Sequence, residues 1–335
     1  MTLRVAINGF GRIGRLVLRS IAEHARRDIE VVAINDLGPV ETNAHLLRYD
    51  SVHGRFPGNV TTGEDWIDVG LGKIKVTAIR NPAELPHKDL GVDIAFECTG
   101  LFTTKDKASA HLEAGAKRVL VSAPCDNADQ TIVYGVNHDV LSASDIVVSN
   151  ASCTTNCLAP IAKVLHDLVG IERGYMTTIH AYTGDQPTLD TMHKDLYRAR
   201  AAGLSMIPTS TGAAKAVGLV LPELKGKLDG SSIRVPTPNV SVVDLKVVTG
   251  RTVTKDEINE ALVAASNGAM KGVLATTTDP IVSMDINHVA ASSTAALPQT
   301  QVIDGSLARV LSWYDNEWGF ATRMSDTALQ MAKFL

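Results

Sequence analysis

The first 36 residues constrain the fold more than any other segment. The apolar run R-V-A-I-N at residues 4–8 leads into a glycine turn, and residues 12–24 then carry apolar side chains at helical spacing. A second apolar run at residues 29–35 ends at Asp36. A strand, a glycine turn, a helix and a second strand form a unit whose strands lie parallel. We therefore predict that the chain opens with a parallel sheet.

Further apolar runs continue this alternation as far as residue 150. They read V-D-I-A-F-E-C-T-G, R-V-L-V-S-A-P and D-I-V-V-S-N, with a helix predicted over residues 105–114. Continuous apolar strands that alternate with helices indicate a parallel sheet covered on both faces. The pattern predicts an α/β domain with a doubly wound parallel sheet over residues 1–151.

The second half of the chain has a different pattern. Its apolar runs are long and β-rich, and a segment with little apolar periodicity, residues 184–208, lies between two of them. A long irregular segment inside a compact domain is usually functional or part of an interface. Thr254 and Glu257 form a capping box that opens a helix, and the last helix is predicted to begin near Ser325.

The glycine turn has the spacing of a dinucleotide site. Gly9, Gly11 and Gly14 form G-x-G-x-x-G between a strand and a helix, with free amides expected around Arg12 and Ile13. Asp36 stands at the end of the second strand, where a carboxylate binds the ribose hydroxyls and repels a 2'-phosphate. The sequence therefore predicts NAD in preference to NADP.

A reactive cysteine is predicted where the second domain begins. Cys153 in A-S-C-T-T-N-C precedes an apolar helical stripe, and Pro160 is expected in the first turn of that helix. Amides at a helix N-terminus stabilise a thiolate, so we expect a lowered pKa for Cys153 and a base at His180. The three remaining cysteines are expected to be buried packing residues: Cys98, Cys125 and Cys157.

Several donors for anions lack acceptor groups nearby in the sequence. They comprise the hydroxyls of Thr154 and Thr183, the S-T-G segment at residues 210–212, and two arginines, Arg198 and Arg234. Hydroxyls, glycine amides and arginine are the groups that recognise phosphate.

Composition limits the function classes. The net charge of 335 residues is -4, without a basic run that would indicate dedicated nucleic-acid binding. No apolar run is long enough to span a membrane, and we expect no signal peptide, because residues 1–9 run directly into a predicted strand and a glycine turn. Four cysteines do not form a disulfide framework, so we expect a reduced, cytoplasmic protein. No metal site is predicted.

The chain resembles the NAD-dependent, phosphorylating glyceraldehyde-3-phosphate dehydrogenases of bacterial type over essentially its whole length. The resemblance rests above all on N-A-S-C-T-T-N-C-L-A-P and P-T-S-T-G-A-A-K-A-V, supported by H-A-Y-T-G-D-Q and W-Y-D-N-E-W-G-F. It implies a Rossmann NAD-binding domain over 1–151, an α/β catalytic domain with a large mixed or antiparallel sheet over 152–316, and a C-terminal helix over 317–335 that returns to the first domain.

The resemblance also implies roles for individual residues. Cys153 attacks the aldehyde of glyceraldehyde 3-phosphate, His180 acts as base, NAD accepts the hydride, and inorganic phosphate cleaves the thioester to 1,3-bisphosphoglycerate. The cofactor positions, besides the three glycines, are Arg12, Ile13, Asp36, Arg80, Thr99, Ser122 and Asn316. One phosphate pocket comprises Ser152, Thr154, Thr211 and Gly212, and the pocket for the substrate's own phosphate comprises Thr183, Arg198 and Arg234. Residues 184–208 resemble the loop that packs against a neighbouring subunit's cofactor in a homotetramer.

Several departures from the family's usual pattern, of which two lie near proposed functional residues, and two alternatives accompany the resemblance. Ala181 replaces the usual serine beside His180, and Thr191-Met192 replaces a Leu-Pro pair of some NAD-specific members, which affects the expected strictness for NAD.

Erythrose-4-phosphate dehydrogenase is the nearest alternative, but it usually has glutamate at position 36 and lacks S-T-G-A-A-K-A-V. A binding protein that has lost catalysis is the alternative from another class, and the intact Cys153 and His180 argue against it.

Overall fold

A computed structural model describes residues 2–335. The helices are α1 (Arg12–Glu23), α2 (Val40–Arg48), α3 (Lys105–Ala108), α4 (Ala110–Glu113), α5 (Cys153–Val169), α6 (Ala213–Val220), α7 (Lys255–Asn267) and α8 (Trp318–Ala332). The strands are β1 (Leu3–Asn8), β2 (Ile29–Asn35), β3 (Tyr49–Asp50), β4 (Gly54–Arg55), β5 (Thr61–Thr62), β6 (Trp66–Asp68), β7 (Lys73–Thr77), β8 (Ile94–Glu97), β9 (Arg118–Val121), β10 (Gln130–Thr131), β11 (Val147–Ser149), β12 (Ile171–Ala181), β13 (Ile207–Thr209), β14 (Leu228–Val235), β15 (Ser241–Thr249), β16 (Leu274–Thr277), β17 (Ser293–Ala296), β18 (Gln301–Ile303) and β19 (Leu307–Tyr314).

These elements form two units. The first comprises the described residues up to Ile132 together with His138–Ala151 and Ala321–Leu335. The second comprises Val133–Asn137 and Ser152–Phe320.

The first unit is built on a nine-stranded sheet in the order β10-β11-β9-β8-β1-β2-β7-β6-β5. Neighbouring strands from β10 to β7 pair in parallel, whereas β6 and β5 add an antiparallel edge. β1 pairs with β2 on one side and with β8 on the other. The strand order therefore reverses at β1, which opens a crevice at the carboxyl ends of these strands.

The apolar sequence of this sheet follows from its burial. Strands β8, β9 and β11 are buried at every residue, which is expected of central strands covered on both faces. Helix α1 buries Leu16, Val17 and Ile21, which are the residues at helical spacing in the sequence. The predicted doubly wound parallel sheet is confirmed.

The second unit contains a mixed sheet in the order β13-β14-β12-β15-β19-β17-β16, with β18 paired to β19. β12 runs parallel to β14 and antiparallel to β15, and β15 runs antiparallel to β19. Helix α5 lies against β15, β17 and β19 and packs on α6 and α7. The predicted α/β fold with a large mixed sheet is confirmed.

Local signals predicted some element boundaries correctly. The capping box at Thr254 is present, since its side chain accepts from the amide of Glu257 while the Glu257 carboxylate accepts from the amide of Thr254. The helix predicted over 105–114 is divided into α3 and α4 at Ser109, whose hydroxyl donates to the carbonyl of Lys105.

Two predicted features of helices are wrong. The last helix begins at Trp318 instead of near Ser325, because the Asp315 carboxylate accepts from the amides of Glu317 and Trp318 at 2.9 and 2.8 Å. Pro160 lies in the interior of α5 and not in its first turn. A proline there has no amide to donate, so the carbonyl four residues earlier loses its helical partner.

Candidate active site

A cavity of about 380 Å³ lies at the carboxyl ends of β1, β2, β7 and β8 in the first unit. This is the point at which the strand order reverses, where open α/β sheets bind their ligands. Five residues predicted from the sequence line the cavity: Gly9, Gly11, Asp36, Arg80 and Thr99.

The glycines of the turn fit a dinucleotide. Gly9 has φ +90°, and a Cβ there would approach the Thr99 amide to 2.7 Å. A Cβ on Gly14 would lie 2.0 Å from the carbonyl oxygen of Gly9, so only glycine allows α1 to approach the turn. A Cβ on Gly11 would meet nothing within 4 Å and would project into open space. The residues present therefore suit the close approach of a pyrophosphate to the backbone.

Asp36 is held at the end of β2 by backbone amides. Its Oδ2 accepts from the amide of Phe10 and its Oδ1 from that of Gly38, both at 2.9 Å. These bonds fix a carboxylate at the wall of the cavity. A ribose diol would be bound and a 2'-phosphate repelled there.

The other predicted cofactor residues occupy varied positions. The Arg12 guanidinium pairs with Asp50 at 2.6 Å, which leaves the helix amides as the groups that Arg12 and Ile13 offer. Burial alone would raise the pKa of Asp50, but bonds from the His53 amide and from Arg12 lower it to about 2. Ser122 directly follows β9 and is not among the residues that line the cavity. Asn316 belongs to the second unit.

The second unit brings a thiol and an imidazole together. Cys153 is the first residue of α5, and Ser152 caps this helix by accepting from the amide of Thr155 at 3.1 Å. Cys153 Sγ lies 3.5 Å from Nε2 of His180, which is the next-to-last residue of β12. The pairing expected from the sequence is therefore present in the fold.

Hydrogen bonding fixes the tautomer of His180. Its Nδ1 lies 2.7 Å from the carbonyl oxygen of Ala181, which can only accept. Arg234 Nη1 lies farther from Nδ1, at 3.3 Å, and itself donates to the Ala181 carbonyl at 3.1 Å. The shorter bond places the proton on Nδ1, so Nε2 presents its lone pair to the thiol.

The electrostatics of this pair differ from the expectation of a lowered thiol pKa. Burial raises the pKa of the Cys153 thiol above its ordinary value, although the charge of Arg234 and the hydrogen bonds with Thr154 act in the opposite direction. Burial, with the Arg234 charge, lowers the pKa of His180 to about 3. Burial therefore favours the neutral forms of both groups, and the lone pair of His180 Nε2 faces the thiol.

The three donors predicted for the substrate phosphate are linked to one another. Arg234 Nη1 donates to the Thr183 hydroxyl at 3.0 Å, and the Thr183 hydroxyl donates to Asp185. Arg198 binds the other oxygen of Asp185 at 3.3 Å. Arg198 and the Thr183 hydroxyl therefore bind the carboxylate of Asp185, a group that the sequence analysis missed.

The donors predicted for inorganic phosphate lie at two helix N-termini. Ser152 caps α5, and Thr154 lies in its first turn, where its Oγ1 lies 2.8 Å from the Tyr314 hydroxyl. Gly212 is the N-cap of α6, and the Thr211 hydroxyl accepts from the Ala213 amide at 3.1 Å. Helix N-termini carry unpaired amides and a positive dipole end, which favour anions.

Comparisons with known proteins assign the family. The model for the glyceraldehyde 3-phosphate dehydrogenase NAD binding domain matches residues 3–105, and the model for the C-terminal domain of the same enzyme matches residues 152–316. A glyceraldehyde-3-phosphate dehydrogenase of Xanthobacter flavus is 74% identical over 333 residues, which cover 99% of each chain. The chain belongs to the glyceraldehyde-3-phosphate dehydrogenase family.

Other relatives extend this similarity. The glyceraldehyde-3-phosphate dehydrogenase of Cereibacter sphaeroides is 73% identical over the full length of both chains. That of Geobacillus stearothermophilus is 56% identical over 99% of each chain. The resemblance inferred from the motifs is confirmed. As a member of this family the chain is an NAD-dependent oxidoreductase, and its cofactor is NAD.

Sequence analysis missed two polar residues that line the cavity of the first unit and a buried carboxylate that binds one of them. Asn8 and Asn35, the last residues of β1 and β2, line the cavity, and Asn35 Nδ2 donates to Asn8 Oδ1 at 2.7 Å. Glu97 accepts from Asn8 Nδ2 at 2.6 Å and from the Thr99 amide at 2.8 Å. Polar side chains that end apolar strands were the available signal, since such strands end at the binding crevice.

The remaining cysteines differ from Cys153 in their surroundings. Burial raises the pKa of Cys98 and of Cys157 to about 12 and that of Cys125 to about 11. Cys157 is completely buried and lies against Ser293 Oγ at 3.6 Å, whereas Cys98 lines the cavity of the first unit. The burial of Cys125 and Cys157 is consistent with the packing roles that the sequence predicts for them.

Within residues 2–335, no helix has the length and hydropathy needed to cross a membrane.

Proposed function

We propose that this chain oxidises D-glyceraldehyde 3-phosphate to 1,3-bisphosphoglycerate, with inorganic phosphate as the second substrate and NAD as the oxidant. The observation that carries the proposal is the 3.5 Å approach of Cys153 Sγ to His180 Nε2 at the start of α5. A thiol beside an unprotonated imidazole suits nucleophilic attack on an aldehyde carbon.

His180 acts as a base in two steps of this reaction. Its Nε2 takes the thiol proton as Sγ bonds to the carbonyl carbon and passes this proton to the carbonyl oxygen, which gives a thiohemiacetal on Cys153 and leaves Nε2 unprotonated. The same nitrogen then removes the hydroxyl proton as the thiohemiacetal is oxidised to a thioester. Phosphate oxygen attacks the thioester carbon, the C–S bond breaks, and the leaving sulfur takes the proton from Nε2, which restores both Cys153 and His180.

The cofactor supplies the acceptor for the hydride that leaves the thiohemiacetal. In the first unit we assign its binding to the glycine turn, the amides at the start of α1, Asp36, Arg80, Thr99 and Ser122. Asn316 is assigned to it in the second unit. The Asp36 carboxylate at the cavity wall supports a preference for NAD over NADP.

Two anion sites complete the proposed active site. Thr183, Arg198 and Arg234 are assigned to the phosphate of the substrate, because hydrogen bonds through the Thr183 hydroxyl and Asp185 link both arginines into one cluster. Ser152, Thr154, Thr211 and Gly212 are assigned to inorganic phosphate, because they lie at helix N-termini.

We also propose a domain organisation, an oligomeric state and a cellular location for this enzyme. We assign residues 1–151 to cofactor binding, 152–316 to catalysis and 317–335 to a helix that returns to the first domain. A homotetramer is supported by exposed apolar side chains in the 184–208 segment, among them Leu189, Met192 and Leu204 at 73, 97 and 81% exposure. We place the enzyme in the cytoplasm, because its reaction requires Cys153 in the reduced state.

The test is an assay of NAD⁺ reduction by purified protein with glyceraldehyde 3-phosphate, with and without inorganic phosphate. We expect turnover that requires phosphate, and a lower kcat/KM with erythrose 4-phosphate or with NADP⁺. A higher kcat/KM with erythrose 4-phosphate would assign the sister activity. Absence of turnover with either aldehyde, despite NAD⁺ binding, would favour a binding protein that has lost catalysis.

A further inference from the structure

Ser241 occupies a buried position between two parts of the proposed site. It is the first residue of β15, is 1% exposed, and pairs with Tyr314 across the sheet. Its hydroxyl oxygen lies 3.0 Å from the amide nitrogen of Ala181, the residue after His180, and 2.8 Å from Oδ1 of Asn316.

The direction of these two hydrogen bonds is fixed by chemistry. The backbone amide of Ala181 can only donate, so Ser241 Oγ accepts from it. The single hydroxyl proton of Ser241 is then donated to Asn316 Oδ1. If the Asn316 amide were turned by 180°, this proton would have no acceptor among residues 2–335, so the observed orientation is the one that satisfies both groups.

Asn316 consequently presents only donors to a ligand. The residue is 5% exposed and its oxygen is engaged by Ser241, while no group of the described chain accepts from its Nδ2. A ligand group that bonds to Asn316 must therefore be an acceptor. In the proposed function, the carbonyl oxygen of the nicotinamide carboxamide is such an acceptor. The NH₂ group of the carboxamide is not, because it would face Nδ2 as a second donor.

The backbone beside Ser241 is held in an unfavourable conformation. Val240 has φ +68°, which is a left-handed value that a β-branched residue rarely adopts. The neighbouring Asn239 is fully buried, and its Nδ2 donates to Asn287 Oδ1 at 2.8 Å. Such strain persists where surrounding contacts determine the geometry, which is common at functional sites.

We propose that Ser241 is a positioning residue that fixes the amide of Asn316 as a donor, so that Asn316 selects the carbonyl oxygen of the nicotinamide carboxamide. This inference rests on the proposed function, because the assignment of Asn316 to the cofactor belongs to it. Ser241 acts through Asn316 and touches no reacting atom itself.

A double-mutant cycle on the full-length protein tests the connection. Calorimetry would give the Kd of NAD⁺ and of ADP-ribose for wild type, Ser241→Ala, Asn316→Ala and the double variant. We expect Ser241→Ala to weaken NAD⁺ binding roughly five- to tenfold, the effect of one net hydrogen bond. ADP-ribose lacks the nicotinamide, so its Kd is expected to change less than about twofold, which also reports that the variant is folded.

The cycle also separates positioning from general loosening of the fold. In the Asn316→Ala background, Ser241→Ala should have no further effect on NAD⁺ affinity. An equal loss in both backgrounds, or an unchanged NAD⁺ affinity of Ser241→Ala, would overturn the proposal. Ser241→Thr keeps the hydroxyl and is expected to restore affinity.

Cofactor analogues test the donor direction on the wild-type protein, without a variant that could misfold. An analogue with 3-acetylpyridine keeps the carbonyl and lacks the NH₂, so it should bind within about threefold of NAD⁺. An analogue with 3-aminopyridine lacks the carbonyl and should bind roughly tenfold more weakly. The reverse order would overturn the proposal. Failure of wild type to bind both NAD⁺ and ADP-ribose would instead contradict the proposed function.

Discussion

At the scale of single residues, the reactivity of Cys153 depends on its base more than on its helix. The helix N-terminus is present, yet burial still raises the pKa of the thiol and so disfavours a preformed thiolate. The lone pair of His180 Nε2 at 3.5 Å provides the route for the thiol proton during attack. Thiolate formation and carbonyl attack are therefore coupled in one site.

Replacing the nucleophile should separate chemistry from cofactor binding. We expect Cys153→Ser to abolish NAD⁺ reduction, because an unactivated hydroxyl is a far poorer nucleophile at neutral pH, while the Kd of NAD⁺ stays within a few-fold of wild type. Cys157→Ser is the control, since this buried thiol has no imidazole beside it in the described contacts. Steady-state turnover and calorimetry measure both quantities, and wild-type turnover by Cys153→Ser would contradict covalent catalysis.

Replacing the base should slow both proton-coupled reactions of the thiol. We expect His180→Asn to reduce the rate of hydride transfer by about 10²–10⁴, the usual loss when a general base is removed. Alkylation of Cys153 by iodoacetamide at pH 7 should also slow, because the neutral thiol loses its proton acceptor. Single-turnover kinetics and alkylation rates provide the measurements. An unchanged alkylation rate would show that the two side chains do not act as a pair.

At the scale of elements, local sequence determined some boundaries and not others. β2 and the starts of α1 and α5 were predictable, because an apolar run, a glycine turn and a serine cap act within a few residues. The early start of α8 depends on the Asp315 side chain, whose capping role the sequence analysis did not recognise. The alignment of His180 with Arg234 depends on the register of β12 and β14, which no local pattern encodes.

A buried polar chain joins the ends of β1 and β8 to α4. Glu97 Oε2 accepts from Asn8 and lies 2.9 Å from His111 Nε2, while His111 Nδ1 lies 3.0 Å from His87 Nε2. All four residues are at most 3% exposed. Burial, with repulsion from His111, lowers the pKa of His87 to about 4. His87 therefore stays neutral in the folded protein at pH values where an exposed histidine gains a proton.

Because His87 stays neutral in this buried series of side chains, the free energy of unfolding should fall as the pH falls. Above pH 6.5 neither state protonates His87; between pH 6.5 and 4 only the unfolded state does, so stability is lost as pH falls. We expect protonation of His87 in the unfolded state to lower the free energy of unfolding by about 2 kcal/mol between pH 6.5 and pH 5. Urea unfolding at both pH values should therefore give a smaller difference for His87→Gln than for wild type. The exposed His24→Gln is the control, and parallel pH dependences of wild type and His87→Gln would refute this origin.

At the scale of the whole molecule, the exposed apolar side chains of residues 184–208 are difficult to reconcile with an isolated chain. Leu189, Leu196 and Leu204 are each more than 70% exposed, as are Met192 and Met206. Large apolar patches on a protein surface usually mark an interaction site. The proposed homotetramer would remove these side chains from water, and this segment has no regular element until β13 begins at Ile207.

A charged residue in this segment should therefore change the assembly and leave the fold intact. Light scattering coupled to size-exclusion chromatography should give wild type a mass of about four times 35.7 kDa. We expect Leu204→Asp to shift the mass toward smaller species, because a carboxylate would have to be desolvated in the contact, whereas at 81% exposure it is harmless to the isolated chain. Val140→Asp, at an exposed apolar residue outside this segment, should keep the wild-type mass. Wild type at the mass of a single chain, or a Leu204→Asp variant with the wild-type mass, would argue that this surface has another partner.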